Sequence, residues 1–556
     1  MEAVMILNTK KISADMQKRF GAIYPLMLPF EEGTIEDSLL EQYRKKDFVF
    51  ILSDESQAEE GETVRKRSES VYELFLTSKE SRTLLQVVRN GLKKILSIVN
   101  EDFHLTINFG DTYVRENSFE ASDYLVIGER DNAVPWTSVV RENNQLVFRN
   151  KNEFSQNKPS SQLVAGVFGF QSGREFLLSC MSVLLEEYEQ GKNGRDDSRS
   201  FYEAIKDYDE NYHPVNLIFT ETWLDLGHEK EYLETKKLVQ ARFFNSITID
   251  DQRGILTKKS EDTKKLIHEI EWYIKMPEEL QFFTPRIYNY SLDKKQPCVE
   301  MEYYPYETLH NLYIYGNLEI SDWDKIMDKL MFVRQEMKLH SDNKQLDPKD
   351  LEDIYYQKTV DRVERLMEDP AFQVFYENEP VINGVTYLSV KEIMERLHIL
   401  LKEYQLIDAK AASIIHGDFC LSNILFEVSN QLVKLIDPRG KFGSFDIYGD
   451  EFYDIAKIMH SFEGAYDHII TDQFTLEQES STTYSYEIHK TDLQNEITEL
   501  VNESITQRYP IEQVRLIEGL LFLSMIPLHA DYLERQKIMF GQAMKLLAPY
   551  VTERGL

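Results

Sequence analysis

Cysteine is scarce: Cys180, Cys298 and Cys420 are the only three in 556 residues. They are odd in number and far apart, which argues against a disulfide framework and against a paired-cysteine zinc site. Long apolar runs are also missing. No stretch approaches the ~18 residues of a membrane helix. The opening MEAVMILNTKKISADMQKRF has too short an apolar stretch for a signal peptide, and lysines follow it at once. Positive charge is in deficit, with 63 Lys plus Arg against 95 Asp plus Glu, a formal net charge of −32. No long Lys/Arg run offsets it. Nucleic acid and anionic membrane surfaces are bound mainly through basic patches, so neither is an expected partner. The expectation is a cytoplasmic protein without membrane insertion, with homo-oligomerisation left open.

What is present is ordinary globular composition. Hydrophobic residues make up 42% and charged residues 28%, enough to bury more than one core. At ~100–200 residues per domain, the length predicts two to four domains.

Residues up to about 235 alternate between strand and helix patterns. Apolar runs of strand length fall at 3–7, 48–52, 105–109, 124–127 and 163–170. Between them, 81–99 spaces Leu84, Leu85, Val88, Leu92, Ile95 and Leu96 along one helical face. This alternation predicts an α/β, Rossmann-like domain with a mainly parallel sheet. The polar stretches 53–70 and 190–200 read as surface loops.

A second unit begins near Arg242. Segments 243–250 and 255–258 read as antiparallel strands joined by a turn at 250–254. A helix follows, with Leu266, Ile270 and Ile274 four residues apart, then a strand at 298–303 and a mostly helical remainder. The polar, Ser/Thr-rich stretch 474–490 reads as a hairpin or loop between helices.

The most informative stretch is 414–443, IIHGDFCLSNILFEVSNQLVKLIDPRGKFG. It carries His416-Gly417-Asp418, Asn423 five residues after the Asp, and Asp437 in an apolar-flanked strand. Phosphoryl transfer from ATP requires a carboxylate to orient or deprotonate the attacking hydroxyl. It also requires oxygen ligands for Mg²⁺ on the phosphates, and rigid geometry. Asp418 suits the first role, and Asn423 and Asp437 suit the second. The Asp-to-Asn interval equals that of the protein-kinase catalytic loop. Residues 424–426 and 433–436 read as a buried hairpin that returns Asp437 beside Asn423.

HGDFCLSNILF followed by LIDPRG resembles the aminoglycoside phosphotransferase and choline kinase superfamily. That resemblance implies an α+β, bilobal, protein-kinase-like fold. GILTKKSEDTKKLIHEIEWY then supplies Lys258 as a candidate phosphate-binding lysine and Glu269 as its partner on the next helix. Lys259 is the competing choice, because adjacent strand residues face opposite ways. Val299-Glu300-Met301-Glu302-Tyr303-Tyr304 resembles the inter-lobe hinge, so Glu302 and Tyr303 are candidate nucleotide-binding positions. A Gly-rich phosphate loop is absent, since the turn holds one glycine, Gly254. Asp454 is expected to brace the catalytic loop or, like Asp450, to cap a helix. His460 reads as a packed or surface histidine, and Cys420 has no neighbours that suggest a nucleophile.

In the first domain, Asp111 follows one apolar strand and Asp225 another, and Val164–Phe170 reads VAGVFGF. These resemble the nucleotidyltransferases that make nucleotide-activated sugars or alcohols, which implies that Asp111 and Asp225 hold a metal at the transferred phosphate. The departure is in MILNTKKISADMQKRFGAIYPLML. Its loop glycines are missing, and Leu26 stands after Pro25 where that family places a lysine. Lys10, Lys11, Lys18 and Arg19 are the cations available to compensate. The domain is therefore either a living transferase or one that has lost or changed its activity.

Taken whole, the chain resembles two-domain proteins of bacterial capsule or surface-polysaccharide synthesis. The implied domains are 1–236, nucleotidyltransferase-like, and 237–556, kinase-like, with lobes at about 237–310 and about 311–556. The implied activity is Mg²⁺-dependent transfer of the γ-phosphoryl of ATP, or another NTP, to a hydroxyl of a sugar, polyol or amino alcohol. CTP or another NTP is the implied ligand of the first domain if that domain is active. The alternatives are a kinase with a non-catalytic N-terminal binding or assembly module, and an inactive scaffold.

Overall fold

The structure is a computed structural model. It describes residues 1–80, 83–115, 122–130, 136–149, 160–191, 198–243, 247–341 and 344–552. The chain divides into two compact units, Met1–Phe243 and Phe244–Leu556.

The first unit is built on a ten-stranded sheet. Its centre is parallel: Glu2–Asn8 lies between Phe48–Asp54 and His104–Asn108, and Val71–Leu76 continues the parallel run beyond Phe48–Asp54. The long strand Ser160–Phe170 then runs antiparallel to both His104–Asn108 and Tyr124–Arg130. The sheet as a whole is therefore mixed, with the expected parallel core at its centre. Strand Val71–Leu76 was not among the expected strands. The expected loop 53–70 is also more ordered than its polarity suggested. Val64–Lys66 pairs antiparallel with Val71–Leu76, and Arg65 bonds Glu62 and Glu73. A charged strand of this kind suits a sheet edge.

Helix Leu84–Val99 starts where Thr83 accepts from the Gln86 N–H and stops at left-handed Asn100. Leu85, Val88, Leu92 and Ile95 are fully buried, and Leu84 and Leu96 pack at the margin of the same core. Helices Gly173–Glu189 and Arg199–Asn211 add Phe176, Phe201 and Tyr208 to it. Residues 81–82, 192–197 and 244–246, which the expected helix, loop and strand include, lie outside the described residues.

The second unit opens with a four-stranded antiparallel sheet, ordered Ile247–Asp250, Ile255–Lys259, Cys298–Glu302, Ile287–Ser291. Helix Thr263–Lys275 follows the second of these strands. It buries Leu266 and Ile270 but leaves Ile274 38% exposed. Trp272 and Tyr273 take the inward positions instead, because a 3.6-residue turn drifts off any strict spacing of four. The rest is mainly helical. Helix Glu451–Phe462 packs on Ile511–Met525, which packs on Leu533–Thr552. The polar stretch 474–490 forms a hairpin, Phe474–Gln478 with Thr483–Ile488.

One buried ion pair anchors this part. Arg334 on helix Ile320–Leu339 and Asp454 are both fully buried and 3.0 Å apart. Arg334 also donates to the Ile414 carbonyl and the Ser413 hydroxyl. Removing one partner of a buried pair strands the other charge, at a cost of about 3–5 kcal/mol. Arg334→Leu is therefore expected to lower the unfolding free energy of this unit by about that amount, read from denaturant midpoints. A loss below about 1 kcal/mol would contradict the anchoring role.

Candidate functional site

The loop carrying His416-Gly417-Asp418 leaves strand Ser413–Ile414 and is held by its backbone. The N–H groups of His416 and Gly417 donate to the two oxygens of Asp454, each at 2.8 Å. Asp454 thus braces the loop and has no surface of its own. Gly417 has φ +77°, and a Cβ there would lie 2.8 Å from the Arg439 side chain, so the turn and the close approach both call for glycine. His416 is buried against Trp272. It donates from Nε2 to the Ile436 carbonyl, and burial lowers its pKa, leaving a neutral spacer between loop and hairpin.

Asp418 keeps 42% of its side chain exposed. One of its oxygens lies 3.0 Å from the Lys457 ammonium, and the other accepts from the Asn423 amide at 3.0 Å. Burial alone would raise its pKa, but Lys457 outweighs that and holds the carboxyl well below the usual carboxylate range. Because the Asn423 amide nitrogen faces Asp418, its carbonyl oxygen faces away. Strands Ile424–Glu427 and Leu432–Leu435 pair as the expected hairpin, and the Ile436 N–H donates to the Asn423 backbone carbonyl. Asp437 therefore sits next to Asn423, but just past the end of its strand rather than within it, at φ +55°.

Lys258 lies in the sheet and reaches across to this loop. Its ammonium is 2.9 Å from Glu269 and 2.5 Å from Asp437. Lys259 is exposed on the opposite face. Burial would lower the Lys258 pKa, but Asp437 and Glu269 outweigh it and hold the group charged. Glu269 is pushed up to about 7, first by burial and then by the charge of Asp437, with Lys258 opposing both. At the strand end, Glu302 accepts from the Tyr304 hydroxyl at 2.7 Å. The Tyr303 N–H is taken by the Gly254 carbonyl.

Asn423 and Asp437 offer one amide oxygen and one half-exposed carboxylate. Among the described residues no group of three or more His, Cys, Asp or Glu could hold a metal unaided. A sparse oxygen pair of this kind fits Mg²⁺, which takes its remaining ligands from phosphates and water. Burial pushes the Cys420 thiol up to about 12, so it is no nucleophile. His460 is buried and stacked on Tyr466. Asp450 caps helix Glu451–Phe462 through the Phe452 N–H and also pairs with Lys410.

Sequence reasoning did not find Lys457, Tyr453, Lys358 or, within LIDPRG, Arg439. Lys457 and Tyr453 lie one helical turn apart on Glu451–Phe462. The Tyr453 hydroxyl accepts from Lys358 at 3.3 Å and from Arg439 at 3.2 Å. For Lys457 and Tyr453 the only available signal was their shared helix with Asp454, and a helix face cannot be aimed without its neighbours.

In the first unit, strands Thr112–Val114 and Trp223–Asp225 pair antiparallel. Gly110, at φ +76°, packs so closely on the Leu7 carbonyl that no side chain fits there, which sets the turn into Asp111. The Leu226 N–H donates to the Asp111 carbonyl, and Gly227 packs on the Asp111 carboxylate. The two aspartates are therefore neighbours. Asp225 is buried, with one oxygen accepting from Trp136 and the other from His228. His228 fills one of these oxygens and Trp136 takes one lone pair of the other, so Asp225 offers a metal little more than one lone pair. The loop after Glu2–Asn8 has Ile12 buried, and Leu26 is buried as well. Lys18 pairs with Asp15, Arg19 pairs with Glu229, and Lys11 lies 6.0 Å over the Tyr24 ring.

No family model matches the chain, and no curated protein matches it significantly. Solved structures do match. A nucleoside-diphosphate-sugar pyrophosphorylase from Vibrio cholerae is 17% identical at TM-score 0.32, covering 42% of this chain and 98% of its own. A CTP:phosphocholine cytidylyltransferase from Streptococcus pneumoniae is 9% identical at TM-score 0.32, covering 43% and 100%. A thermostable aminoglycoside phosphotransferase in complex with ADP and hygromycin B is 10% identical at TM-score 0.33, covering 57% and 99%. By its own topology, the first unit is an α/β fold on a mixed sheet. The second is an α+β fold, a four-stranded antiparallel sheet followed by a mainly helical part.

The Lys258–Glu269 contact is an ion pair above about pH 7 and a charge-to-neutral hydrogen bond below it. Asp437→Asn removes a neighbouring negative charge and leaves the burial, so the Glu269 midpoint is expected to fall. Carbon-13 NMR of the carboxyl in buffer without divalent metal reads this, with Glu269→Gln identifying the resonance. An unchanged or higher midpoint would contradict the assigned cause.

Proposed function

We propose that the chain is a Mg²⁺-dependent phosphotransferase. It moves the γ-phosphoryl of ATP, or another NTP, to a hydroxyl of a small molecule, a sugar, polyol or amino alcohol destined for a capsule or surface glycan. One observation carries this reading: the hairpin register sets Asp437 beside Asn423, Asn423 bonds Asp418, and Lys258 joins Asp437 to Glu269. A hydroxyl-orienting carboxylate, two oxygen donors and a phosphate-facing cation thus form one connected set, as phosphoryl transfer requires. The resemblance of the whole chain to capsule-synthesis proteins supports the glycan destination.

Asp418 orients the acceptor hydroxyl. The hydroxyl oxygen bonds to the γ-phosphorus, the bond to the bridging oxygen breaks, and ADP departs. The hydroxyl proton passes to the Asp418 carboxylate. Because Lys457 keeps Asp418 a weak base, that proton moves late, as a loose transition state allows. Lys258 neutralises phosphate charge and Glu269 aims it. Glu302 and Tyr303 line the base end of the nucleotide site through groups other than the Tyr303 N–H. Bound Mg²⁺, held by Asn423 and Asp437, would screen the phosphates.

For the first unit the favoured reading is a non-catalytic binding or assembly module. Supporting it are the buried Ile12 and Leu26 in the phosphate-loop segment, the Arg19 guanidinium held by Glu229 and the engaged Asp225. The competing reading is nucleotidyl transfer from CTP or another NTP onto the phosphorylated product.

Asp418→Asn is expected to lower kcat for acceptor phosphorylation by about 10²–10⁴, while nucleotide affinity, measured by calorimetry, stays within about threefold. Retained phosphorylation would sink the mechanism, and failure to bind Mg²⁺-ATP would favour an inactive scaffold. Pyrophosphate release is expected to be silent across all four NTPs with phosphorylated alcohols. Release that disappears in Asp111→Asn would reverse the reading of the first unit.

A further inference from the structure

Beside Asp418 stands a cluster of positive charge that the phosphotransfer chemistry above leaves mostly unused. Lys457 lies 3.0 Å from Asp418. Arg439 is fixed by its N–H to the His416 carbonyl, and its side chain packs against Gly417. Arg439 and Lys358 both donate to the Tyr453 hydroxyl, at 3.2 and 3.3 Å. Among the described residues, Asp418 is the one carboxylate that pairs with any of these three cations. Three cations against one carboxylate leave a local excess of two positive charges, in a chain of net charge −32. Crowded cations of this kind are costly without a counter-charge.

Tyr453 does not supply it. Although burial raises phenols, Lys358, Arg439 and Lys457 bring Tyr453 down to about 8, so at neutral pH it is mostly protonated. Lys358 is itself lowered, first by burial, with Tyr453 opposing and Arg439 and Lys457 adding to the fall. Lys358 opens its helix immediately after a π-helical turn, Asp353–Gln357, a feature common at functional sites. The donor's side of the site is distinct: Lys258 pairs with Glu269 and Asp437 and, among the described residues, shares no hydrogen-bond partner with the cluster.

We propose that Arg439 and Lys358 form an anion subsite for the acceptor, so that the alcohol phosphorylated here carries a compact negative group, carboxylate or phosphate, near its reacting hydroxyl. A guanidinium fork suits either group. The proposal rests on the phosphotransfer reading and narrows its acceptor: a cationic amino alcohol is disfavoured, and an acidic sugar or polyol is favoured. Attack on the γ-phosphorus proceeds as above. The anionic group holds the acceptor while Asp418 orients its hydroxyl.

The test uses the full chain with ATP and Mg²⁺. Glycerol, glycerate, glycerol phosphate, ethanolamine and choline are compared as acceptors. Glycerate and glycerol phosphate are also titrated calorimetrically in the presence of ADP. Glycerate or glycerol phosphate is expected to exceed glycerol in kcat/KM by about ten- to a hundredfold, the worth of a charge-assisted contact. That ratio is expected to collapse towards one in both Arg439→Gln and Lys358→Gln. A folding defect would lower both acceptors together and leave the ratio intact, so the ratio separates recognition from stability. The two anions tell a carboxylate site from a phosphate site. A preference for glycerol, ethanolamine or choline, or a ratio unchanged in both variants, would overturn the proposal and leave phosphotransfer standing. Anion binding that both variants abolish, without turnover of any alcohol, would uphold the subsite and overturn phosphotransfer. No binding and no turnover would overturn both.

Discussion

The Asp454 carboxylate sets the geometry of the second unit's site. It has no contact with water, so it must find every partner within the protein. It finds three: the N–H groups of His416 and Gly417 and the guanidinium of Arg334. The first two place the loop that presents Asp418. The third ties that loop to the long helix Ile320–Leu339 and, through the Ile414 carbonyl, to the strand that feeds it. Every lone pair spent inside removes a way for the loop to move. The site's precision therefore comes from a residue that never meets a ligand.

Around that anchor, charges are arranged in alternating sign. Glu269, Lys258 and Asp437 form one chain, and Asp418 with Lys457 forms a second pair, to which the neutral Asn423 amide adds a hydrogen bond. Burial alone would neutralise several of these groups. Their neighbours keep Lys258 and Asp418 ionised. In a chain with 32 more acidic than basic charges, the proposed anion sites need such local clustering, because the far field opposes them. Lys358, Arg439 and Lys457 around Tyr453 are the strongest instance.

Much of the local structure was legible in the residues. The alternation in the first unit predicted its central strands and the helix Leu84–Val99, since burying one face imposes a period of 3.6 or 2. The hairpin carrying Ile424 to Leu435 was legible for the same reason. Other features were not. The edge strand Val64–Lys66 is polar because it lies at a sheet margin. Ile274 faces outward because Trp272 and Tyr273 take the inward positions. The antiparallel direction of Ser160–Phe170 could not be read, because strand direction leaves no mark on composition.

The division within the site follows distance along the chain. Asp418, Asn423 and Asp437 lie within one stretch of chain, where spacing and a hairpin suffice to place them together, so the sequence by itself determined that they meet. Lys258 reaches Asp437 over 179 residues. Lys358 meets Tyr453 over 95. Those contacts depend on which face a helix or strand turns inward, and that is decided by packing against partners distant in sequence. Tertiary structure alone therefore chose Lys258 over Lys259 for the ion pair and set Lys457 against Asp418. It also took up Arg19 of the first unit in a pair with Glu229.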